Sequence, residues 1–206
     1  MESKEIVCAV LEGLPDRTLP DPDEISYYVL EKERKLYIDY DIASDLTSVH
    51  RMILRWNIED KDIEPEKRKP IWIYIMSVGG DLDATWMLID CIQSSETPVY
   101  TVNLGLACSA AGLIFLAGKQ RFMTKNAKLV IHEGYAELAG DAVKVMDATE
   151  NYKKDLKKMK DFIAQTTSIP RATIMKKRNN DWYLDAEFCL SNKACDRIVE
   201  SLSEVL

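Results

Sequence analysis

The chemistry open to this chain is narrowed first by its two histidines, His50 and His132. A serine hydroxyl is a weak nucleophile near neutral pH and needs a base within hydrogen-bond reach. His50 falls inside an amphipathic stretch between Val49 and Arg51, which marks a boundary or surface residue. His132 closes the apolar run KLVIH, 128–132, and precedes Glu133-Gly134. Functional groups gather at the carboxyl ends of strands in α/β sheets, so His132 is the candidate base. The matching nucleophile is Ser109. It follows Gly105-Leu106-Ala107-Cys108 and opens a run of small residues, Ala110, Ala111 and Gly112, that leaves room for a substrate. A helix start there favours negative charge developing nearby. Gly105 and Gly112 do not stand at the offsets of a G-x-S-x-G elbow. Taken alone, a serine so placed reads first as a helix N-cap.

A second feature is Gly79-Gly80, directly after the apolar run IWIYIM, 71–76. Paired glycines let a backbone approach a ligand closely and aim N–H groups at it. The following helix start makes the turn an anion site, suited to a phosphate or to the oxyanion of acyl transfer. A Gly-Gly pair on its own marks only a turn.

These residues hang on a regular alternation. The run 71–76 is β-branched and aromatic, as in a strand covered on both faces. Helical spacing follows over 82–95, a strand over 98–104, an apolar helix over 108–118, and a strand over 128–132. That order argues for an α/β domain with an at least partly parallel sheet. Ahead of it, 35–39 reads as a strand. Residues 44–56 read as a helix with Leu46, Val49, Ile53 and Trp56 on one face and Ser44 as its N-cap. Residues 12–24, rich in proline and acids, read as an extended lead-in, and the charged run 59–70 as a solvated connection. Beyond Gly140, Met146, Tyr152, Leu156, Met159 and Ile163 recur at spacings of three and four. A helix of about 26 residues would be about 39 Å long, more than a small domain covers, so part of its apolar stripe is expected to meet another subunit.

Bulk properties exclude several classes. The formal net charge is −7, with 27 basic residues interleaved among 34 acids, which argues against a nucleic-acid surface. Five scattered cysteines without a CxxC pair fit reduced thiols better than a disulfide framework or a zinc site. The apolar stretch before Glu12 is too short for a signal-peptide core or a membrane span. A soluble, cytoplasmic protein of one compact domain is expected, with neither metal nor organic cofactor.

Read together, SVGG, GLACSAAGLIFLAG, KLVIHEG and RNNDWYLDAEFCLSNKACDRIVE, in that order, resemble the ClpP proteolytic-subunit family of serine peptidases. The likeness runs over roughly residues 35 to 200. It implies Ser109 as nucleophile, His132 as base and Asp181 as orienting acid, with the backbone amides of Gly80 and Ala110 as oxyanion hole. Asp181 comes from the resemblance alone; among Arg178, Asn179, Asn180 and Asp185 it reads otherwise as a cap for the next turn. The implied fold is an α/β, ClpP/crotonase-like spiral of ββα units with a protruding helical handle at about 134–180, following a lead-in of residues 1–34. The implied function is endopeptidase cleavage of peptides or unfolded proteins inside a homo-oligomeric chamber of stacked heptameric rings, fed by an AAA+ ATPase. Val78, Cys108, Ala110 and Glu133-Gly134 depart from the family's motifs without removing a catalytic side chain. Cys108 is a rival nucleophile, read here as a small buried hydrophobe. The N-terminal 34 residues lack a counterpart of the family's axial-pore segment. Two other readings share these residues: a crotonase-type acyl-CoA enzyme, which also holds an oxyanion with two amides, and a ring subunit without turnover.

Overall fold

A computed structural model describes residues 21–43, 46–134, 136–177 and 181–206. The chain divides into two compact units, Met1–Glu33 and Arg34–Leu206. In the first unit the described residues form α1 (Pro22–Lys32). Pro22 opens the helix, where a missing N–H costs nothing because no intrahelical acceptor exists for it. Residues 22–24, expected to be extended, are therefore helical; most of the expected lead-in lies outside the described residues, as does Ser44.

The second unit runs β1 (Lys35–Ile38), α2 (Thr47–Glu59), β2 (Ile71–Ser77), α3 (Leu82–Ser94), β3 (Val99–Cys108), α4 (Ala110–Ala117), β4 (Gln120–Thr124), β5 (Lys128–Ile131), α5 (Ala142–Thr166), α6 (Arg171–Lys176), β6 (Trp182–Asp185), α7 (Ala186–Ser191) and β7 (Arg197–Val199). Seven strands form one sheet in the order β1-β2-β3-β4-β7, with β5 beside β3 and β6 beside β5. Every pairing is parallel except β5 with β6.

The apolar run of β2 is covered on both faces, as its composition requires. Ile71, Ile73 and Ile75 enter the main core with α2, α3 and the wholly buried α4. Tyr74 faces a smaller layer with Val102, Phe122, Val199 and Val205, and its ring stacks on Tyr37 at 4.9 Å between centroids. Leu46, Val49, Ile53 and Trp56 are all buried, so the face read from their spacing is the face that packs.

Strand β3 is longer than the expected 98–104 because it changes partners midway. Residues 100–103 pair with β4 and residues 106–108 with β5. Between them the Gly105 N–H donates to Asn103 Oδ1 at 3.1 Å, and Asn103 Nδ2 donates to the Lys128 carbonyl at 3.0 Å. The buried amide side chain thus carries the ladder across the fork. That fork extends the strand to the residue before Ser109.

Two residues of the charged run 59–70 are not solvated. Asp60 accepts from Arg34 Nη1 at 2.6 Å, from Nη2 at 2.7 Å and from Thr97 Oγ1 at 2.8 Å, tying the end of α2 to the starts of β1 and β3. Arg68 is buried and donates to the Ile63 carbonyl and to Glu96. Pro65–Lys67 form a single 3-10 turn.

Helix α5 has 25 residues, about 38 Å at 1.5 Å per residue. Asp141 caps it, accepting from the Lys144 N–H at 3.0 Å. Its last turns bury Met159, Phe162 and Ile163, with Phe162 edge-on to Trp86 at 5.6 Å. In its first turns Val143 and Met146 are each 68% exposed. The apolar stripe is therefore half covered by its own domain and half bare. Among the described residues, no helix is long and apolar enough to cross a membrane.

Candidate active site

Strand register brings distant residues together. Strand β5 runs parallel to β3 with Cys108 opposite Val130, and the Ser109 N–H continues that ladder by donating to the Val130 carbonyl at 2.9 Å. On its other edge β5 is antiparallel to β6, with Ile131 opposite Trp182. One step beyond, His132 faces Asp181, and Nδ1 lies 3.3 Å from Asp181 Oδ1. Three neighbouring strands therefore deliver Ser109, His132 and Asp181 to one end of the sheet.

Ser109 has φ 54° and ψ −122°, a conformation that non-glycine residues adopt at a cost of about 1–3 kcal/mol and that clusters at active sites. The residue occupies the N-cap position of α4, yet its side chain makes no capping bond. The hydroxyl is left to the pocket, which removes the capping alternative. The alternative for Asp181 goes too, because Asp185 is the cap of α7, accepting from the Phe188 N–H at 2.7 Å.

The Gly79-Gly80 turn packs onto this serine. Gly79 has φ 97°, and a Cβ there would stand 2.6 Å from the Cys108 carbonyl and 2.9 Å from both Ala110 N and Ser109 Cβ. Gly80, at φ 150°, would drive a Cβ to 2.0 Å from the Ile42 carbonyl. Ile42 bridges the turn, donating to the Gly79 carbonyl and accepting from the Asp81 N–H, each at 2.8 Å. The Gly79 N–H is taken by Ser77 Oγ at 3.1 Å, and Ser77 itself donates to the Tyr40 carbonyl. These bonds leave the Gly80 N–H outside the bridge. The Ala110 N–H, first in α4, is one of the four amides that a helix start leaves without an intrahelical acceptor.

A pocket of about 350 Å³ joins these parts, with Gly79, Gly80, Ser109, His132, Glu133 and Tyr152 in its wall. His50 lies on α2, outside it. Among the described side chains no hydrogen bond joins Ser109 to His132; such bonds are often long until a substrate closes the site. What the arrangement offers is a hydroxyl, an imidazole backed by a carboxylate, and amides free to receive an oxyanion.

Residues 24–201 match the family model described as Clp protease. The chain belongs to the Clp protease family. With that membership comes its chemistry, serine-dependent hydrolysis of peptide bonds. The chain is 32% identical over 139 residues to the ATP-dependent Clp protease proteolytic subunit 2 of Treponema pallidum (strain Nichols), covering 66% of this chain and 70% of that protein. The protein of the same description from Treponema denticola is 31% identical over the same shares. That from Borreliella burgdorferi is 35% identical over 121 residues, 58% of this chain and 61% of the relative.

In this Clp protease the rival nucleophile is poorly placed for ionisation. Burial pushes the Cys108 thiol above its ordinary range, and the charge of Asp181 pushes it further, so little thiolate forms near neutral pH. Sequence reasoning missed the parts of the site that come from elsewhere. Tyr152 and Met159 of α5 line the pocket but read only as members of an apolar stripe. The clue was the hydroxyl that Tyr152 carries into that stripe. Ile42, which braces Gly80, follows a short strand and shows no pattern at all.

Proposed function

We propose that Ser109, His132 and Asp181 are the catalytic triad of this serine endopeptidase and that the Gly80 and Ala110 amides form its oxyanion hole. The observation that carries this reading is the β5–β6 register, which holds His132 Nδ1 3.3 Å from Asp181 at the strand end beside a strained, uncapped Ser109. The Ser109 oxygen attacks the scissile carbonyl carbon while His132 Nε2 accepts the hydroxyl proton. The two amides hold the oxyanion of the tetrahedral intermediate. His132 then gives the proton to the leaving amine, and the acyl group remains on Ser109 as an ester. A water, deprotonated by His132, releases the acid and restores the serine. Asp181 fixes the imidazole tautomer and stabilises the imidazolium without itself accepting the proton. None of these steps calls on a metal or organic cofactor.

The same reading treats residues 35–206 as the peptidase domain and about 134–180 as a handle through which copies assemble, because the first turns of α5 leave Val143 and Met146 bare. Stacked heptameric rings in the cytoplasm would enclose the sites. An AAA+ ATPase would feed them unfolded protein; the relatives' description as ATP-dependent proteolytic subunits supports a requirement for ATP in those proteins. The test pairs cleavage of a fluorogenic peptide with native mass spectrometry. Ser109→Ala should abolish cleavage while leaving the assembly at the mass of two stacked seven-membered rings. Full cleavage by the variant would remove the triad reading, and a monomer mass would remove the chamber.

A further inference from the structure

The chain past His132 is held by contacts from outside the sheet. Residues 132–134 leave the end of β5 as irregular chain, so no ladder fixes the imidazole beyond Ile131. Two side chains of α5, set two helical turns apart, converge on the next residue instead. The Tyr152 hydroxyl donates to the Glu133 carbonyl at 2.8 Å. Lys160 Nζ pairs with Glu133 Oε1 at 2.5 Å, the two side chains being only 12% and 25% exposed. That carboxylate oxygen is shut off from solvent and has no hydrogen-bond partner beyond the ion pair. Gly134 (φ 78°) lies under the Tyr152 hydroxyl, where an added Cβ would stand 3.6 Å from it.

Resting on the triad reading, we propose that Tyr152 and Lys160 are positioning residues that act through Glu133 to hold His132 between Asp181 and Ser109. One arm fixes the backbone and the other fixes the side chain of the residue covalently next to the base. Without the ammonium, a buried carboxylate oxygen loses its sole partner and must move toward water, because an unpaired buried charge is costly. The segment that moves carries the imidazole. Misplacement of a catalytic group by about 1 Å costs on the order of 10²-fold in rate. Lys160 itself does not line the pocket, so its replacement should touch the position of the base more than the binding of the substrate chain.

Steady-state cleavage of a fluorogenic peptide by Lys160→Met, Glu133→Gln, the double variant and Lys160→Arg tests this. Lys160→Met should lower kcat by roughly 10- to 100-fold with KM within about twofold, and Lys160→Arg, which keeps the pair, should recover most of the loss. The double variant should be no worse than Lys160→Met, as expected for two groups acting as one unit. Unchanged kcat, or a loss confined to KM, overturns the proposal, as does failure of Lys160→Arg to rescue. Should Lys160→Met not fold, Tyr152→Phe, which removes only a hydroxyl, carries the test with the same expected split. Fluorophosphonate labelling of the unsubstituted protein separates the two layers. No adduct on Ser109 fells the triad reading itself, while labelling of Lys160→Met at the unsubstituted rate fells only the clamp.

Discussion

Replacing Gly79 by alanine adds one methyl group, and the structure says where that methyl must go. It would stand 2.6 Å from the Cys108 carbonyl oxygen and 2.9 Å from Ala110 N, about 0.8 Å inside ordinary van der Waals separation for the closer atom. Both neighbours are backbone, which gives little. The conformation at φ 97° adds strain of about 1–2 kcal/mol for a residue with a Cβ. Overpacking of this kind costs about 1–3 kcal/mol more, so a total near 3 kcal/mol is expected. At about 2–4 °C per kcal/mol for a chain of this size, the melting temperature should fall by roughly 6–12 °C at fixed protein concentration. Any relief must push Ala110 and Ser109 away from the turn, separating the amides assigned to the oxyanion. The loss of one such donor costs about 10²–10³ in kcat. Gly105→Ala is the internal control, because a Cβ there meets nothing within 4 Å and the amide that bonds Asn103 is kept. It should be near neutral in both assays. Calorimetry with peptide-cleavage kinetics on the two variants decides the matter. Gly79→Ala with normal melting and kcat, or Gly105→Ala as harmful as Gly79→Ala, would refute the reasoning.

Three other variants probe separate parts of the account. Cys108→Ala should keep peptide cleavage within about twofold, since a thiol raised by burial contributes little thiolate; loss of activity would make Cys108 the nucleophile. Asp181→Asn should lower kcat by roughly 10²–10⁴ through the wrong imidazole tautomer, with KM little changed in the same assay. Hydrogen bonds from Arg34, and secondarily from Thr97, hold the Asp60 carboxyl below its ordinary range against the opposing effect of burial. Its folded pKa being depressed, that stabilisation is complete above the unfolded value of about 3.9 and is lost as pH falls through the folded one. Asp60→Asn should cost about 3 kcal/mol at pH 7 and flatten the acid limb of a denaturant-derived stability profile below about pH 4; an unchanged limb would contradict this.

What the amino-acid order disclosed, and what it hid, follows from how local each signal is. The β2 run was legible because cover on both faces demands a continuous apolar string, and the α2 face because one-sided burial imposes a period on neighbouring residues. Strand β3 runs past the expected 98–104 because β5 takes over from β4 as its partner around Gly105, a change that no local pattern announces. Strands β4, β6 and β7 have three to five residues each, too few to show a period. Ser109 was separable from an ordinary helix N-cap only by the family motif around it. His132 could be singled out from residue type and setting. Asp181 could not, since only the antiparallel register of β5 with β6 makes it the partner of His132, and that register is written 49 residues away. Tyr152 and Lys160 reach the site from the helix expected to serve assembly, and helical spacing cannot reveal what a single side chain touches. The solvated reading of 59–70 failed at Asp60 and Arg68 because their partners, Arg34 and Thr97 for the one and the Ile63 carbonyl and Glu96 for the other, come from packing that charge type alone does not reveal.

The central claim is that Ser109 is made reactive by His132. Peptide-mapping mass spectrometry after treatment with a fluorophosphonate measures this directly. A single adduct is expected, on the peptide containing Ser109, and it should be lost in His132→Ala. An adduct on another residue, or equal labelling of Ser109 without the imidazole, would contradict it.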